Sequence, residues 1–475
     1  MRRTISARNL GPMFCLLMAG CTTVGPDYVA PAPMPDSSTD TAFEASASPA
    51  ISQAPLPPHW WRLYNDTRLD ALIEEALAAN TDLREAAANL ERAQASTREV
   101  HAAAGVQTSL EGSASAGETS SLGIGRPAGT HGSYDLGASI SYQIDAVGRI
   151  RRAVESATAS QEAKAAALDL ARTTVAANVA AAYSDACAAG ASLAVAQHSV
   201  ALQQSSVKLI ERGVRGGVFP ALDATRSRSL LSQLQAALPG YRSTRRTALY
   251  RLAILMGRHP QDYPADLADC SAIPQMDQPI PVGDGAALIR RRPDIRQAER
   301  ELAAATANIG VETAALYPSV SLGASAGTTS RTIDGLVSDS AFRFSVGPLI
   351  SWSFPNTDVA RARIDQASAS AKAALARFDG TVLRALEETE SALTRYANDL
   401  DENERLRSAR DASREAATLQ AKLSRQGAVS VLDVLDVQRS LASAEAALAN
   451  SEAKLAADRV QIFLALGGGW EKEQP

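Results

Sequence analysis

Between Tyr134 and Ile144 the chain reads YDLGASISYQI. Its even positions (Tyr134, Leu136, Ala138, Ile140, Tyr142, Ile144) are all apolar, and its odd ones (Asp135, Gly137, Ser139, Ser141, Gln143) are polar or glycine. A strand turns successive side chains to opposite faces, so this alternation dictates one apolar and one wet side. Three further stretches repeat it. Over 106–116, Val106, Thr108, Leu110, Gly112, Ala114 and Ala116 oppose Gln107, Ser109, Glu111, Ser113 and Ser115. Over 318–326 the even set is Pro318, Val320, Leu322, Ala324 and Ala326. Over 342–354 it is Phe342, Phe344, Val346, Pro348, Ile350, Trp352 and Phe354, against Arg343, Ser345, Gly347, Leu349, Ser351 and Ser353. Alternation over about ten residues with aromatics near the ends marks transmembrane β-strands. A soluble sandwich with one wet face alternates too, but only four strands stand here among hundreds of helical residues.

Four strands cannot close a barrel, and an open edge cannot lie in lipid. Two copies would supply eight strands around a filled interior. Three would supply twelve, wide enough for a lumen.

Sliding the chain against itself shows a duplication. At a shift of 212, TDLREAAANL (81–90) falls on PDIRQAEREL (293–302), and Ser109-Leu110 on Ser321-Leu322. At a shift of 210, ALDATRSRSLL (221–231) falls on VLDVLDVQRSL (431–441), and Gly257 on Gly467. Each half runs helix, two strands, long helix, turn, helix. Residues 146–212 carry no proline and predict a helix of roughly 100 Å at 1.5 Å per residue. Its partner over 221–257, expected to kink at Pro239, is shorter by nearly half, and the helix over 81–104 makes up the difference. Residues 358–425, 430–467 and 293–316 repeat the arrangement. Val434, Leu441, Leu448, Leu455 and Ile462 recur every seven residues as a coiled-coil seam, whereas Ala182, Ala189 and Ala196 hold that spacing in the long helix.

The N-terminus reads as export machinery. Arg2, Arg3 and Arg8 precede a ten-residue apolar run, Leu10 to Ala19, too short to span a bilayer. Met18-Ala19-Gly20-Cys21 then resembles a lipobox, in which Cys21 receives diacylglycerol and an acyl chain such as palmitate, with Thr22 in place of an inner-membrane retention aspartate. The proline- and serine-rich stretch 22–59 has neither helical nor strand period. Cys187 and Cys270 would remain in an oxidising compartment; two unpaired structural thiols are expected, with pairing left open. The organisation expected is therefore a leader (1–20), a lipidated linker (21–59), a first repeat (60–257), a connector (258–292), a second repeat (293–467) and a tail (468–475).

Composition excludes other classes. Net charge is −5 and no basic block follows the leader, which argues against nucleic-acid binding. The five histidines are scattered, and no HExxH, GxSxG, P-loop or CxxC is present. No catalytic residue, metal ligand or cofactor site is indicated.

WWRLYNDTRLDALIEEAL (60–77), RRRPDIRQAE (290–299), GAVSVLDVLDVQRSL (427–441) and ALGGGW (465–470) resemble signatures of the TolC-like outer-membrane factors, and CTTVGPDY is similar to the mature start of their lipoprotein branch. The resemblance covers nearly the whole chain. It implies a mainly α protein with a transmembrane β-barrel, in which long helical hairpins form a periplasmic α-barrel. Four strands per protomer would give a twelve-strand barrel in a homotrimer. Implied partners are a periplasmic adaptor protein, an inner-membrane efflux transporter and outer-membrane lipid. The implied activity is passive export of small molecules such as drugs, hence multidrug resistance. Other readings are a protein-secretion channel, or a periplasmic coiled-coil structural or adaptor-like lipoprotein that never spans the membrane.

Two regions then become candidate sites. The helical turns at 213–220 and 426–430 lie at hairpin tips, and the resemblance makes Gly217, Val218, Gly427, Ala428, Val429 and Ser430 adaptor contacts. Leu432, Asp436 and Arg439 share one helical face away from the seam, and matching family positions form the periplasmic gate. Residues outside the repeats (22–59, 258–292 and those after 470) are candidates for a belt around the tunnel.

Overall fold

The computed structural model describes residues 23–31, 43–44, 48–117, 130–426 and 428–468. In chain order the elements are β1 (Ile51–Ser52), α1 (Thr67–Ala79), α2 (Thr81–Ala103), β2 (Gln107–Gly117), β3 (His131–Ile144), α3 (Arg149–Arg215) and α4 (Ala221–Leu255). They continue with β4 (Ile280–Pro281), α5 (Gly285–Arg291), α6 (Pro293–Thr313), β5 (Ser319–Ser330), β6 (Phe342–Ser351), α7 (Asp358–Arg425) and α8 (Val431–Ala465). The expected strands and helices are present. The long helices α3 and α7 have 67 and 68 residues, and α4 continues through Pro239. Helix α3 starts at Arg149, three residues later than expected. Gly148 takes a positive φ there, and Asp145 accepts from the backbone N–H groups of Ile150 and Arg151, satisfying donors that a helix start leaves open.

The chain forms two compact units, each drawing on both halves of the duplication: Met1–Pro31, Asn89–Ala165 and Gln297–Phe378, and Ala32–Ala88, Ala166–Arg296 and Asp379–Pro475. The first holds one antiparallel sheet of order β2-β3-β5-β6. Its register pairs even with even and odd with odd residues, as in Leu110↔Ala138, Ala138↔Ala326 and Ala326↔Phe344. One face therefore collects the apolar side chains of the alternation apart from Leu349, and the other collects serines that bond across strands (Ser109–Ser139 at 2.8 Å, Ser325–Ser345 at 2.9 Å). Among the described residues both outer strands, β2 and β6, have one free edge.

The second unit carries the main apolar core. Trp60 is fully buried and stacks on Phe463 with centroids 4.4 Å apart. The duplication reappears as matched contacts. Asn80 Nδ2 donates to the Leu255 carbonyl (2.9 Å), and Arg292, 212 residues on, donates from Nη1 to the Ala465 carbonyl (2.6 Å). Gly257 and Gly467 close these helices at φ of 69° and 66°. A Cβ at Gly257 would stand 2.6 Å from the Ala79 carbonyl, so glycine is required there both by φ and by space.

The two-thiol expectation is corrected: Cys187 and Cys270 form a disulfide, Cα–Cα 4.8 Å, between α3 and the connector. One helical turn on, a Cβ at Gly190 would come within 1.9 Å of the Cys270 carbonyl oxygen. Glycine there lets the connector backbone lie against the helix, which brings the two sulfurs into range. The connector also pairs with the linker, β1 with β4 in parallel, Ile51 opposite Ile280.

The coiled-coil seam is realised in part. Leu448, Leu455 and Ile462 are buried, whereas Val434 and Leu441 are half-buried. Near the tip the buried residue is instead Leu435, packed with Ile210, Ala224 and Leu230. The heptad count overlooked it because α8 there packs on α3 and α4 along a neighbouring stripe.

Candidate functional site

The first candidate surface is the sheet. Leu110, Phe344, Val346 and Ile350 are 65–78% exposed, although burying such a side chain is worth about 1.5–3 kcal/mol. A face like this requires an apolar partner. Phe342 and Phe344 sit at one end of β6, with Trp352 and Phe354 just past the other. Ten residues at about 3.3 Å, tilted by about 40°, span roughly 25 Å, the height of an outer-membrane apolar band.

Residues 23–31 dock at the foot of this sheet. Val24 N–H donates to the Val147 carbonyl (3.0 Å), and buried Arg152 donates to the Val24 carbonyl (3.2 Å) and to Asp27 (2.5 Å). Gly25, at φ 84°, lies so close to Gly310 that a Cβ would stand 2.4 Å from its Cα. Tyr28 donates to Glu299 (2.7 Å) beneath the Arg300 guanidinium. Cys21 itself lies outside the described residues.

At the first tip, Val218 N–H donates to the Gly213 carbonyl (2.8 Å), Gly217 takes φ 74°, and the Phe219 ring covers Gly213. A Cβ at Gly217 would meet nothing within 4 Å, and Val218 is 71% exposed. The tip therefore presents a hydrogen-bonded turn with an exposed surface. At the second tip, Ser430 and Asp433 form a reciprocal capping box at the start of α8. Ala428 N–H bonds to the Leu423 carbonyl (3.1 Å), Ala428 and Ser430 are exposed and Val429 is half-buried. Gly427 lies outside the described residues.

Leu432, Asp436 and Arg439 are brought onto one face of α8. Asp436 Oδ1 and Arg439 Nη1 are 3.7 Å apart, both side chains are largely exposed, and Leu432 is half-exposed. Their face is turned away from Val434, Gln438 and Leu441, which line a groove with residues of α3 and α7.

Sequence reading missed a buried carboxyl pair, Asp399 on α7 and Asp458 on α8, each 5% exposed. Oδ2 of each lacks a protein donor, and the two carboxyls interact with each other by a hydrogen bond. Burial and the hydrogen bond with Asp399 push Asp458 up to about 7. For Asp399 burial acts upward, but hydrogen bonds from Asp458 and Lys454 (2.7 Å) outweigh it and hold this carboxyl below its ordinary range. A carboxyl with a raised pKa stabilises the fold at low pH, and that contribution is lost as pH rises through about 7. Asp399 has the opposite sign, losing its contribution only in acid. Asp458→Asn is thus expected to gain thermal midpoint relative to the parent between pH 6 and pH 8.5; parallel midpoints across that range would contradict it.

Among the described residues no group of His, Cys, Asp and Glu is arranged to hold a metal ion. Helix α3 has an 18-residue window apolar enough to cross a membrane by composition, but 61% of that window is buried in protein. It is a packed helix.

The family described as outer membrane efflux protein matches residues 72–258 and 286–468, the two halves of the duplication. The solvent efflux pump outer membrane protein SrpC of Pseudomonas putida is 33% identical over 98% of this chain and 98% of its own. Nodulation protein T of Rhizobium leguminosarum bv. viciae is 30% identical over 98% of this chain and 94% of its own. The solved outer-membrane channel OprN superposes with a TM-score of 0.87 at 35% identity, covering 94% of this chain and 99% of that one. An exposed apolar sheet face, long duplicated hairpins and these likenesses leave no place for a coiled-coil protein that never spans the membrane. The chain belongs to the outer membrane efflux protein family, as an efflux channel of the outer membrane that extends into the periplasm.

Proposed function

We propose that three copies assemble into a twelve-strand barrel over a helical tunnel, forming the passive exit duct for small molecules delivered by an inner-membrane transporter through a periplasmic adaptor. The observation that carries this reading is the sheet: one predominantly apolar face, one predominantly polar face and, among the described residues, two free edges. Strand β6 runs antiparallel to β2, so the free edge of one copy offers the next the same antiparallel pairing used inside the sheet. Three copies leave no edge in lipid, and the polar faces line a water-filled passage. Small-molecule cargo accords with relatives named for solvent efflux and pyoverdine export. Energy comes from the transporter.

Docking of the adaptor is placed at the tips, on Gly217, Val218, Gly427, Ala428, Val429 and Ser430. Gly217→Trp should weaken crosslinking to the adaptor and leave a heat-modifiable trimer in outer-membrane fractions. Absence of the trimer in the parent protein would overturn the duct, and unchanged crosslinking would overturn the docking surface.

Cys21 is proposed as the lipidated residue. Thr23, two residues on, packs against Gly148 just past the end of β3. Two residues extend the chain by at most about 7 Å, so an acyl anchor at Cys21 stays at the membrane boundary that the strands define. Cys21→Ser should abolish incorporation of a fatty-acid analogue; persistent labelling would remove the assignment.

A further inference from the structure

The polar face of the sheet is not uniform. Its half nearer the helices is built of serine, glycine and glutamine, Ser109, Ser139, Ser141, Ser321 and Ser325 among them, with Leu349 opposite Ser321 as the exception. Its charges, Glu111, Asp135 and Arg343, lie further out. Glu111, Gly137, Gly327 and Arg343 fall in one row of the register, with two bare glycines between the charged ends. At Gly327 a Cβ would come within 2.5 Å of the Leu136 carbonyl oxygen, so no side chain fits.

That clearing is occupied by Arg343. Its side chain crosses from β6 over β5 to β3, bringing Nη2 to 3.6 Å from where Gly137 would carry a Cβ. It is fixed at two points: Nε donates to Thr329 Oγ1 (2.9 Å), and Nη2 lies 3.7 Å from Asp135 Oδ1. Thr329 in turn donates to Asp135 Oδ1 (2.5 Å), and Ser133 to Asp135 Oδ2 (3.2 Å). Packing in a single copy does not explain the arrangement, since Arg343 remains 55% exposed. It holds a cation flat against the wall, in register with an acid.

We propose that Asp135, Thr329 and Arg343 form a charge collar in the outer part of the lumen that determines how readily anionic and cationic solutes pass. This rests on the reading of the polar face as the lining of a trimeric duct. Threefold repetition places three arginines among the carboxylates of Asp135 and Glu111, in a water-filled passage with a low-dielectric wall. Such a wall focuses the field of its charges. Arg343 offsets the carboxylates; without it the collar is purely acidic and favours cations.

The test uses a reporter cysteine at Ser321, on the same polar face nearer the helices, in a chain whose Cys187 and Cys270 are already bonded to each other. Anionic and cationic methanethiosulfonates are added outside intact cells, and the ratio of their labelling rates is measured. Arg343→Gln is expected to lower the anionic-to-cationic ratio by about tenfold. Asp135→Asn should raise it, and the double variant should return it close to the parent, an outcome a merely structural role would not produce. The same ratio in all four proteins would overturn the collar. A Ser321→Cys protein unreactive to both reagents would instead overturn the lumenal reading of this face.

Discussion

Removing the Cys187–Cys270 bond, as Cys187→Ala with Cys270→Ala, is expected to lower stability by about 3–4 kcal/mol. The bond closes a loop of sequence separation 83, and the chain entropy that such a loop removes from the unfolded state is about 4.5 kcal/mol. The loss should also be local. Linker and connector are joined by backbone bonds from Ile280, Val282 and Gly283 to Ala50, Ser52 and Ala54, whereas the disulfide is a covalent tie between connector and helix. Limited proteolysis should accordingly shift to 258–292 in the variant or under reductant. Gly190→Val should do the same with the cysteines intact, since its side chain would collide with the Cys270 carbonyl. An unchanged thermal midpoint together with unchanged cleavage would show that the bond carries no stability.

Leu432→Ala combined with Asp436→Ala is expected to raise the single-channel conductance of the purified trimer several-fold and to lower its cation preference. Around a threefold axis, Asp436 becomes a ring of three carboxylates, and a ring of like charge both selects cations and repels itself unless paired. Arg439, 3.7 Å away on the same helix, supplies that pairing. An exposed pair is worth about 0–1 kcal/mol, so three contribute about 3 kcal/mol at most. Moving a two-state mouth from almost always open to almost always closed takes about 5.5 kcal/mol. In a gate built from these residues the ion pairs alone would not hold it shut, and Leu432 from each of the three copies would have to supply the remainder. Arg439→Ala alone should consequently widen the channel less than the double variant does. Conductance and selectivity equal to the parent under the same salt would place the gate elsewhere.

What was legible in the sequence follows from the range of each signal. Strand alternation and helix length are local, so β3 and α7 could be read directly, and α3 missed its start only through the Asp145 cap. The duplication was legible because its contacts repeat in step, Asn80 with Leu255 and Arg292 with Ala465. The disulfide was not, because a separation of 83 residues carries no periodic trace and the signal, Gly190 one turn from Cys187, gains meaning only once the connector is seen lying on it. Leu435 and the Asp399–Asp458 pair escaped for a related reason: which stripe of a long helix turns inward depends on its neighbours. Arg343 appeared as an ordinary odd-numbered polar residue, and only the cross-strand register put it in one row with Glu111 and two glycines.

The even number of strands in one copy has a consequence for how such barrels change size. Because β2 and β6 run in opposite directions, copies joined edge to edge keep the antiparallel alternation all the way round, whatever their number. Gain or loss of one strand would bring like-directed edges together at every junction. Widening or narrowing of the pore is thereby restricted to steps of a whole hairpin per copy, which is the unit the internal duplication already multiplied.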